Sequence, residues 1–286
     1  MSVFLAKARH GIASALKDTQ LRIGVIAILV LILVMIFRPV LMTVDPYYYG
    51  PDILAAPGEN GHILGTNKLG QDIYSMLIEG IMVSLQVAVI SAMISGILGV
   101  LIGGISGYFG GKVDTVVSEI INIFMMLPTF FLILLIIALF GNSILNVMVV
   151  IGLTTWPSNA KLMRAQALSL RERTFVKSAI AMGETKIQIL LKYIIPNGIF
   201  PVVANTTMGM AWAILTEASL SFLGLGDPNV ISWGQMIYDG KAYLTSAWWI
   251  STFAGLAIVL TVIIFYFLGD GLNHVLNPKY VAGRNK

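Results

Sequence analysis

The sequence predicts an all-α membrane protein with six transmembrane helices and both termini cytoplasmic. Three observations carry that prediction. Of the 286 residues, 57% are hydrophobic and only 11% charged, where a soluble domain carries roughly 25% charged residues. The apolar residues fall in runs of bilayer-spanning length, about 20 residues each. The cations are distributed very unevenly among the segments that join those runs. A chain of this length filled with spans has no room for a large extramembrane domain. Without cysteine it has no disulfide framework, thiolate metal site or cysteine nucleophile. His10, His62 and His274 are too dispersed to read as a metal cluster.

In chain order, residues 1–22 are a cytoplasmic segment carrying Lys7, Arg9, Lys17 and Arg22, and a first span covers 23–42. A signal peptide also starts basic and turns apolar. This run exceeds the signal core of about 7–15 residues, and no small-x-small cleavage site follows closely, so a retained helix is predicted. Residues 43–77 are turn-rich (DPYYYGPD, APGENG, NKLGQD) and form an extracytoplasmic loop. The core domain, 78–270, holds the remaining spans. The second contains 29 residues without a formal charge, Ile81 to Phe109. The third, 115–140, is interrupted by Pro128, and a weaker fourth covers 144–157. The chain is then charged and amphipathic from Lys161 to Lys192, before a fifth span at 198–223, a sixth at 248–268 and a cytoplasmic tail, 271–286. In this orientation only Arg38, Lys68 and Lys241 lie outside, and the other fifteen of the eighteen cations lie inside. The net charge of +4 is therefore topological and requires no nucleic acid.

Within the second span, Ser91, Ser95, Gly99, Gly103 and Gly107 recur every four residues, which makes a groove of small residues on one helix face. Lipid gives no hydrophobic reward for helix association, so such a groove is a means to close contact, within the chain or across a dimer. Polar stripes mark two other helices: Glu119, Asn122, Met126 and Thr129 on the third, and Thr206, Met210, Ala213 and Glu217 on the fifth. Both stripes should avoid lipid, either lining a passage or bonding inside the bundle. Glu217, deep in its span, is the sharper candidate. The outer loops offer Tyr47, Tyr48, Tyr49 and Trp233, as partner contacts or as interfacial anchors.

Between Phe175 and Ile195 the chain reads as two short amphipathic helices separated at Gly183, with Pro196 and Asn197 ending the second. Such a hairpin is either a knob for another protein's groove or an element lying on the bilayer surface.

The run GTNKLGQDIYS (65–75), GYFGGKVD (107–114), TWPSNAKLMRAQALSLRERTFVKSA (155–179), TEASLSFLGLG (216–226) with SWGQM (232–236), and LGDGLNHVLNPK (268–279) resembles the C-type permease of ABC importers of the dipeptide, oligopeptide and nickel family. The segments occur in the family's order. The resemblance implies a type I ABC importer-like fold and a coupling loop, 165–197, seated in a cleft of a cytoplasmic ATPase. Its contact residues would be Phe175, Lys177, Ser178, Ala179, Ala181, Met182, Gly183, Glu184, Thr185, Ile187, Pro196 and Asn197. Lys177-Ser178-Ala179 stands where the family usually has Glu-Ala-Ala, Tyr193 where it often has His, and Asn277 where it often has Asp. The implied partners are a homologous permease, two ATPase subunits or domains, an extracytoplasmic substrate-binding protein and membrane lipid, in the inner, cytoplasmic membrane of the cell. Implied cargo is a di- or oligopeptide, with nickel, a metal–chelator complex or glutathione as alternatives. The polar stripes supply the candidate pathway residues, Asn122, Met126, Thr129, Thr206, Met210 and Glu217.

No ATP site is legible. The nearest approach to a P-loop, GYFGGKV at 107–113, has the wrong glycine spacing and Val113 in place of the hydroxyl. No catalytic or metal motif is present either, so the expectation is a non-catalytic chain that binds no cofactor, with ATP and Mg held by partner subunits. A secondary transporter would instead show paired broken helices in two related halves.

Overall fold

A computed structural model describes residues 18–276. His10, Asn277 and six of the counted cations (Lys7, Arg9, Lys17, Lys279, Arg284, Lys286) lie outside the described residues. Within them the chain is helical, and a single isolated bridge joins Thr66 and Asp72. Helix α1 is Thr19–Leu41, α2 Ile73–Phe109, α3 Gly111–Met126, α4 Thr129–Phe140 and α5 Ile144–Arg171. The short helices α6 Thr174–Ala181, α7 Lys186–Ile189 and α8 Ile195–Gly198 follow, then α9 Phe200–Leu220, α10 Trp233–Gly240 and α11 Trp249–Leu276. Local chemistry sets several starts. The carboxylates of Asp18 and Asp72 accept from the N–H groups of Leu21 (3.0 Å) and Ser75 (2.9 Å), satisfying otherwise orphaned donors of α1 and α2.

The expectation of six spans is corrected. Among the described residues, four helices are long and apolar enough to cross a membrane: Thr19–Leu41, Ile73–Phe109, Phe200–Leu225 and Trp249–Val275. A fifth arises if α3 and α4, bent by 84° at their junction, count as one span. The bend follows from Pro128, which drives Leu127 into an extended conformation (φ −79°, ψ 133°) and breaks the helix. The missing span is the expected fourth. Its apolar residues and the charged stretch after them form one continuous 28-residue helix, α5, whose second half carries Lys161, Arg164 and Arg171. One face of that helix packs into the bundle, with Asn159, Ala160, Met163 and Ala167 buried, while Ser158 and Lys161 are exposed on it. A count of termini by spans therefore no longer holds. Geometry supplies a different fact: Asp18 and His274 stand 3.5 Å apart, so α1 starts and α11 ends at the same end of the bundle.

α5 fills the small-residue groove of α2. A Cβ added at Gly99 would lie 2.3 Å from Cβ of Asn159, at Gly103 2.2 Å from the Ala160 carbonyl oxygen, and at Gly107 2.5 Å from that of Arg164. Ser91 Oγ donates to the Met148 carbonyl at 2.8 Å, and Asn159 Nδ2 donates to Ser95 Oγ at 3.0 Å. Arg164 also reaches Asp114 of α3 through two nitrogens, Nη2 at 2.7 Å from Oδ2, which ties α5 to the loop end of α3. α9 and α11 complete the core around Leu85, Ala88, Ile214 and Phe265. α1 is peripheral. It meets α11 where Gly24 faces Leu268 and Leu21 faces Gly271, Ile28, Leu31, Val34 and Met35 pack against the core, and Ile26, Leu29, Leu33 and Ile36 point outward as lipid-facing residues should.

α2 contains 37 residues, about 55 Å of helix at 1.5 Å per residue and longer than a hydrocarbon core of about 30 Å. The turn-rich loop sits at its N-terminal end. The α6–α8 segment packs at its other end, where Gly104 approaches Ile195, Leu190 and Met163.

Candidate functional site

The α6–α8 segment is a folded hairpin. Val176 and Ala179 of α6 and Ile189, Leu190 and Ile194 of the returning arm are buried against Met163 and Ala167 of α5 and Val202 of α9. α6 ends at Gly183, whose φ of 83° is the left-handed conformation that glycine adopts without penalty. Gly183 and Glu184 N–H groups close the helix end on the carbonyls of Ile180 (3.0 Å) and Ala179 (3.2 Å). Thr185 and Gln188 then form a reciprocal capping box that starts α7. Tyr193 O–H donates to Glu184 Oε1 at 2.7 Å, and this bond holds the phenol pKa above its usual value. Lys192 lies 3.7 Å from the other Glu184 oxygen.

Pro196 and Asn197 do not end the second arm. The residues Leu190–Ile194 form a π turn, in which Ile195 N–H reaches back to the Leu190 carbonyl. Pro196 then falls in the first turn of α8, where a missing N–H costs least, and the chain runs on into α9 almost unbroken. The hairpin is thus coupled on one side to α5 and on the other to α9.

The outer face of the hairpin is apolar and exposed. Ile180 (56%), Ile187 (64%) and Met182 (71%) project there, with Phe175 beside them. Ala181, Gly183 and Thr185 are exposed at the same tip, as are Lys177 and Ser178, whereas Ala179 is buried and Glu184 partly so. Lys177 Nζ lies 3.5 Å from Glu172, so the basic residue at this position has an anionic neighbour within its own chain.

Above the hairpin, a cavity of about 460 Å³ opens between α2, the α3–α4 break, α5 and α9. Thr129 and Thr206 line it. The sequence-predicted set is otherwise dispersed. Asn122 and Met126 are exposed on α3, and Met210 packs partly buried beside Leu85 and Ile214. Glu217 is 2% exposed, with Oε1 accepting from Ser221 Oγ (2.8 Å) and Ser232 Oγ (2.7 Å), which joins α9 to the start of α10. Trp233 is buried too, its Nε1–H bonded to the Leu77 carbonyl at 3.0 Å. Sequence reasoning missed the polar wall of the cavity. There Asn205 Nδ2 donates to Asn159 Oδ1 (2.8 Å), and Asn159 donates on to Ser95, a ladder across α9, α5 and α2. The available signal was Asn205 inside the expected fifth span and Asn159 just past the expected fourth.

The Glu217 geometry makes a prediction. Glu217→Ala strands two buried serine hydroxyls and should cost about 1–3 kcal/mol of stability, read as a lowered melting temperature in detergent. Glu217→Gln keeps an acceptor at Oε1 and should retain assembly. Equal damage from both variants would point to a need for the charge itself.

Comparison with known proteins places this architecture. The family model described as the binding-protein-dependent transport system inner membrane component matches residues 99–281. The dipeptide transport system permease protein of Alkalihalophilus pseudofirmus is 35% identical over 269 residues, covering 92% of this chain and 88% of that protein. The oligopeptide transport system permease protein of Haemophilus influenzae is 35% identical, covering 90% and 84%, and the glutathione transport system permease protein of Pectobacterium atrosepticum 33%, covering 88% and 84%. Among solved structures, an inward-facing conformation of the MetNI methionine ABC transporter matches with a TM-score of 0.56 at 19% identity, over 70% of this chain and 96% of that one, a likeness of fold. Family membership makes the protein a transport subunit and not an enzyme. The chain belongs to the binding-protein-dependent transport system inner membrane components, as a C-type permease subunit of the dipeptide, oligopeptide and nickel family of ABC importers.

Proposed function

We propose that this permease subunit imports di- or oligopeptides, that its α6–α8 hairpin docks in a cytoplasmic ATPase subunit, and that the cavity bounded by Thr129, Thr206, Asn159 and Asn205 belongs to the translocation pathway. The observation that carries the reading is the hairpin: a rigid, apolar-tipped knob whose two arms continue into α5 and α9. Closure of ATPase subunits pressing on that knob moves both cavity-lining helices together. The peptide cargo rests on the relatives named for dipeptide, oligopeptide and glutathione transport. The cavity wall suits it chemically, because amide and hydroxyl groups can exchange hydrogen bonds with a peptide backbone.

A homologous second permease completes the pathway in this reading. Glu119 and Asn122 are exposed on α3, and polar groups on a membrane helix call for a protein or water neighbour. The basic end of the bundle, with Lys112, Lys161, Arg171, Arg173 and the hairpin lysines, faces the cytoplasm by the positive-inside rule. Asp18 and His274 are at that end. A substrate-binding protein delivers cargo to the opposite end.

The test is uptake of labelled di- and oligopeptides into proteoliposomes holding the chain with its partner permease, ATPase subunits and binding protein. Uptake should require ATP and every subunit. Ion-driven uptake by this chain alone would overturn the assignment.

A further inference from the structure

Lys161 stands apart from the other cations of its helix. Arg164 is held by Asp114 and Arg171 by Glu172 (3.4 Å), and in the hairpin Lys177 and Lys192 lie 3.5 and 3.7 Å from Glu172 and Glu184. Lys161 is exposed and has no hydrogen-bond or ion-pair partner among the described residues. Its place on α5 is specific. Thr154, Ser158 and Lys161 follow one another at intervals of four and three residues and so share a helix face, on which Thr154 is buried and the other two are exposed. Thr154 and Ser158 line the cavity. Lys161 is therefore the next group on that face toward the hairpin end, at the cavity's inner mouth.

The cavity itself is neutral. None of the residues that line it carries a formal charge. Two polar atoms of its wall have no hydrogen-bond partner among the described residues. One is Asn205 Oδ1, whose amide nitrogen donates to Asn159 and Ser158, and the other is Thr206 Oγ1. An N–H donor is what Asn205 Oδ1 lacks. From Asn159, which Asn205 contacts, to Lys161 the helix rises about 3 Å. One residue of extended peptide spans nearly the same distance, about 3.3–3.6 Å.

We infer that Lys161 binds the C-terminal carboxylate of the peptide cargo, while the last backbone amide of that peptide donates to Asn205 Oδ1. The inference rests on the function proposed above and adds the direction in which the cargo lies, with its carboxylate toward the cytoplasm. A zwitterionic peptide offers an ammonium and a carboxylate, and a lysine attracts only the second. The cargo's own ammonium meets no carboxylate on the cavity wall, so this chain does not favour the reverse orientation. A charge-assisted bond is about twice as strong as the neutral ones beside it, so the carboxylate fixes the register of the backbone. Because every peptide with a free C-terminus carries that group, one cation at the mouth serves cargo of any sequence. An anionic lipid headgroup shares the chemistry, and the experiment separates the two sources.

The whole transporter is reconstituted in proteoliposomes with its binding protein, and initial uptake of tritiated alanyl di- and tripeptides is measured. K161Q should lower uptake about tenfold, and K161R should stay within about twofold of the parent. Melting temperature and ATPase co-purification are the checks on folding. A second measurement needs no variant: dicyclohexylcarbodiimide, which joins a carboxylate to an amine in contact with it, should attach the peptide to Lys161 in the wild-type complex, read by mass spectrometry. That attachment decides the matter if K161Q fails to fold. Parental uptake by K161Q overturns the inference, as does peptide coupled only at other residues. Uptake that falls equally when anionic phospholipid is omitted from wild-type liposomes, with no peptide on Lys161, assigns the lysine to a headgroup and also overturns it. A wild-type complex that takes up neither peptide fails both readings, whereas normal wild-type uptake with no coupling at Lys161 fails only this one.

Discussion

Replacing Ile180 and Met182 together by aspartate should abolish ATP-driven uptake and co-purification of the ATPase subunit, with the melting temperature of the chain nearly unchanged. Both side chains are more than half exposed and lie outside the buried set that seats the hairpin, so the fold does not depend on them. Docked in a cleft, each would contribute about 1.5–3 kcal/mol of burial. Losing both removes about 4 kcal/mol, near a thousandfold in affinity, and desolvating two carboxylates adds to the loss. Pull-down of the tagged chain and proteoliposome uptake read the outcome. Retained ATPase binding with retained transport would sink the docking assignment. The contrasting variant, Val176→Asp, inserts a charge into a fully buried position and should release the hairpin from α5, with a lowered melting temperature.

Gly103→Leu should be the most destabilising single change in the bundle. The Cβ alone would sit 2.2 Å from the Ala160 carbonyl oxygen, which is backbone and cannot turn away, so α2 and α5 must separate. Overpacking a tight interface costs about 1–3 kcal/mol and sometimes more. Separation here also disturbs the Ser91–Met148 and Asn159–Ser95 hydrogen bonds on the same seam. The chain is expected to fail to accumulate in the membrane or to melt far below the parent in detergent. Gly255→Ala is the control. Nothing lies within 4 Å of its added methyl, and helix propensity favours alanine by about 1 kcal/mol, so its melting temperature should hold or rise. Comparable losses from the two variants would mean that the groove is not the reason for the small residues of α2.

The groove was legible because it depends on one helical period and on atom size, both of which are written in the residues 91 to 107. Gly183 was legible for the same reason: a turn that needs positive φ selects for glycine. The polar residues on the third and fifth helices were legible as unusual, but their destinations were not. Glu217 and Thr206 lie on one helix face by spacing, yet α10 reaches over Glu217 with Ser232 while the cavity opens beside Thr206. Only the path of other helices separates those two outcomes. Met126 and Thr129, three residues apart, likewise part company because Pro128 turns the chain by 84° between their helices.

The fourth span shows the limit most clearly. Hydropathy divides residues 144–171 into an apolar half and a charged half, and by itself it treats the apolar half as lipid-facing. The fold keeps both halves in one helix, in which Asn159 and Arg164 have partners on α2, α3 and α9. Composition and periodicity determined that this is a helical membrane protein, which helix offers a close-packing groove, and where its compact hairpin turns. The order of motifs in the sequence pointed to its family. Tertiary structure decided where the helices break and where they run on, which polar residues share the cavity, and that the hairpin is joined to α5 and α9. The reason is physical: a period describes one helix against an unspecified surrounding, and whether a polar side chain faces lipid, cavity or protein is a property of its neighbours.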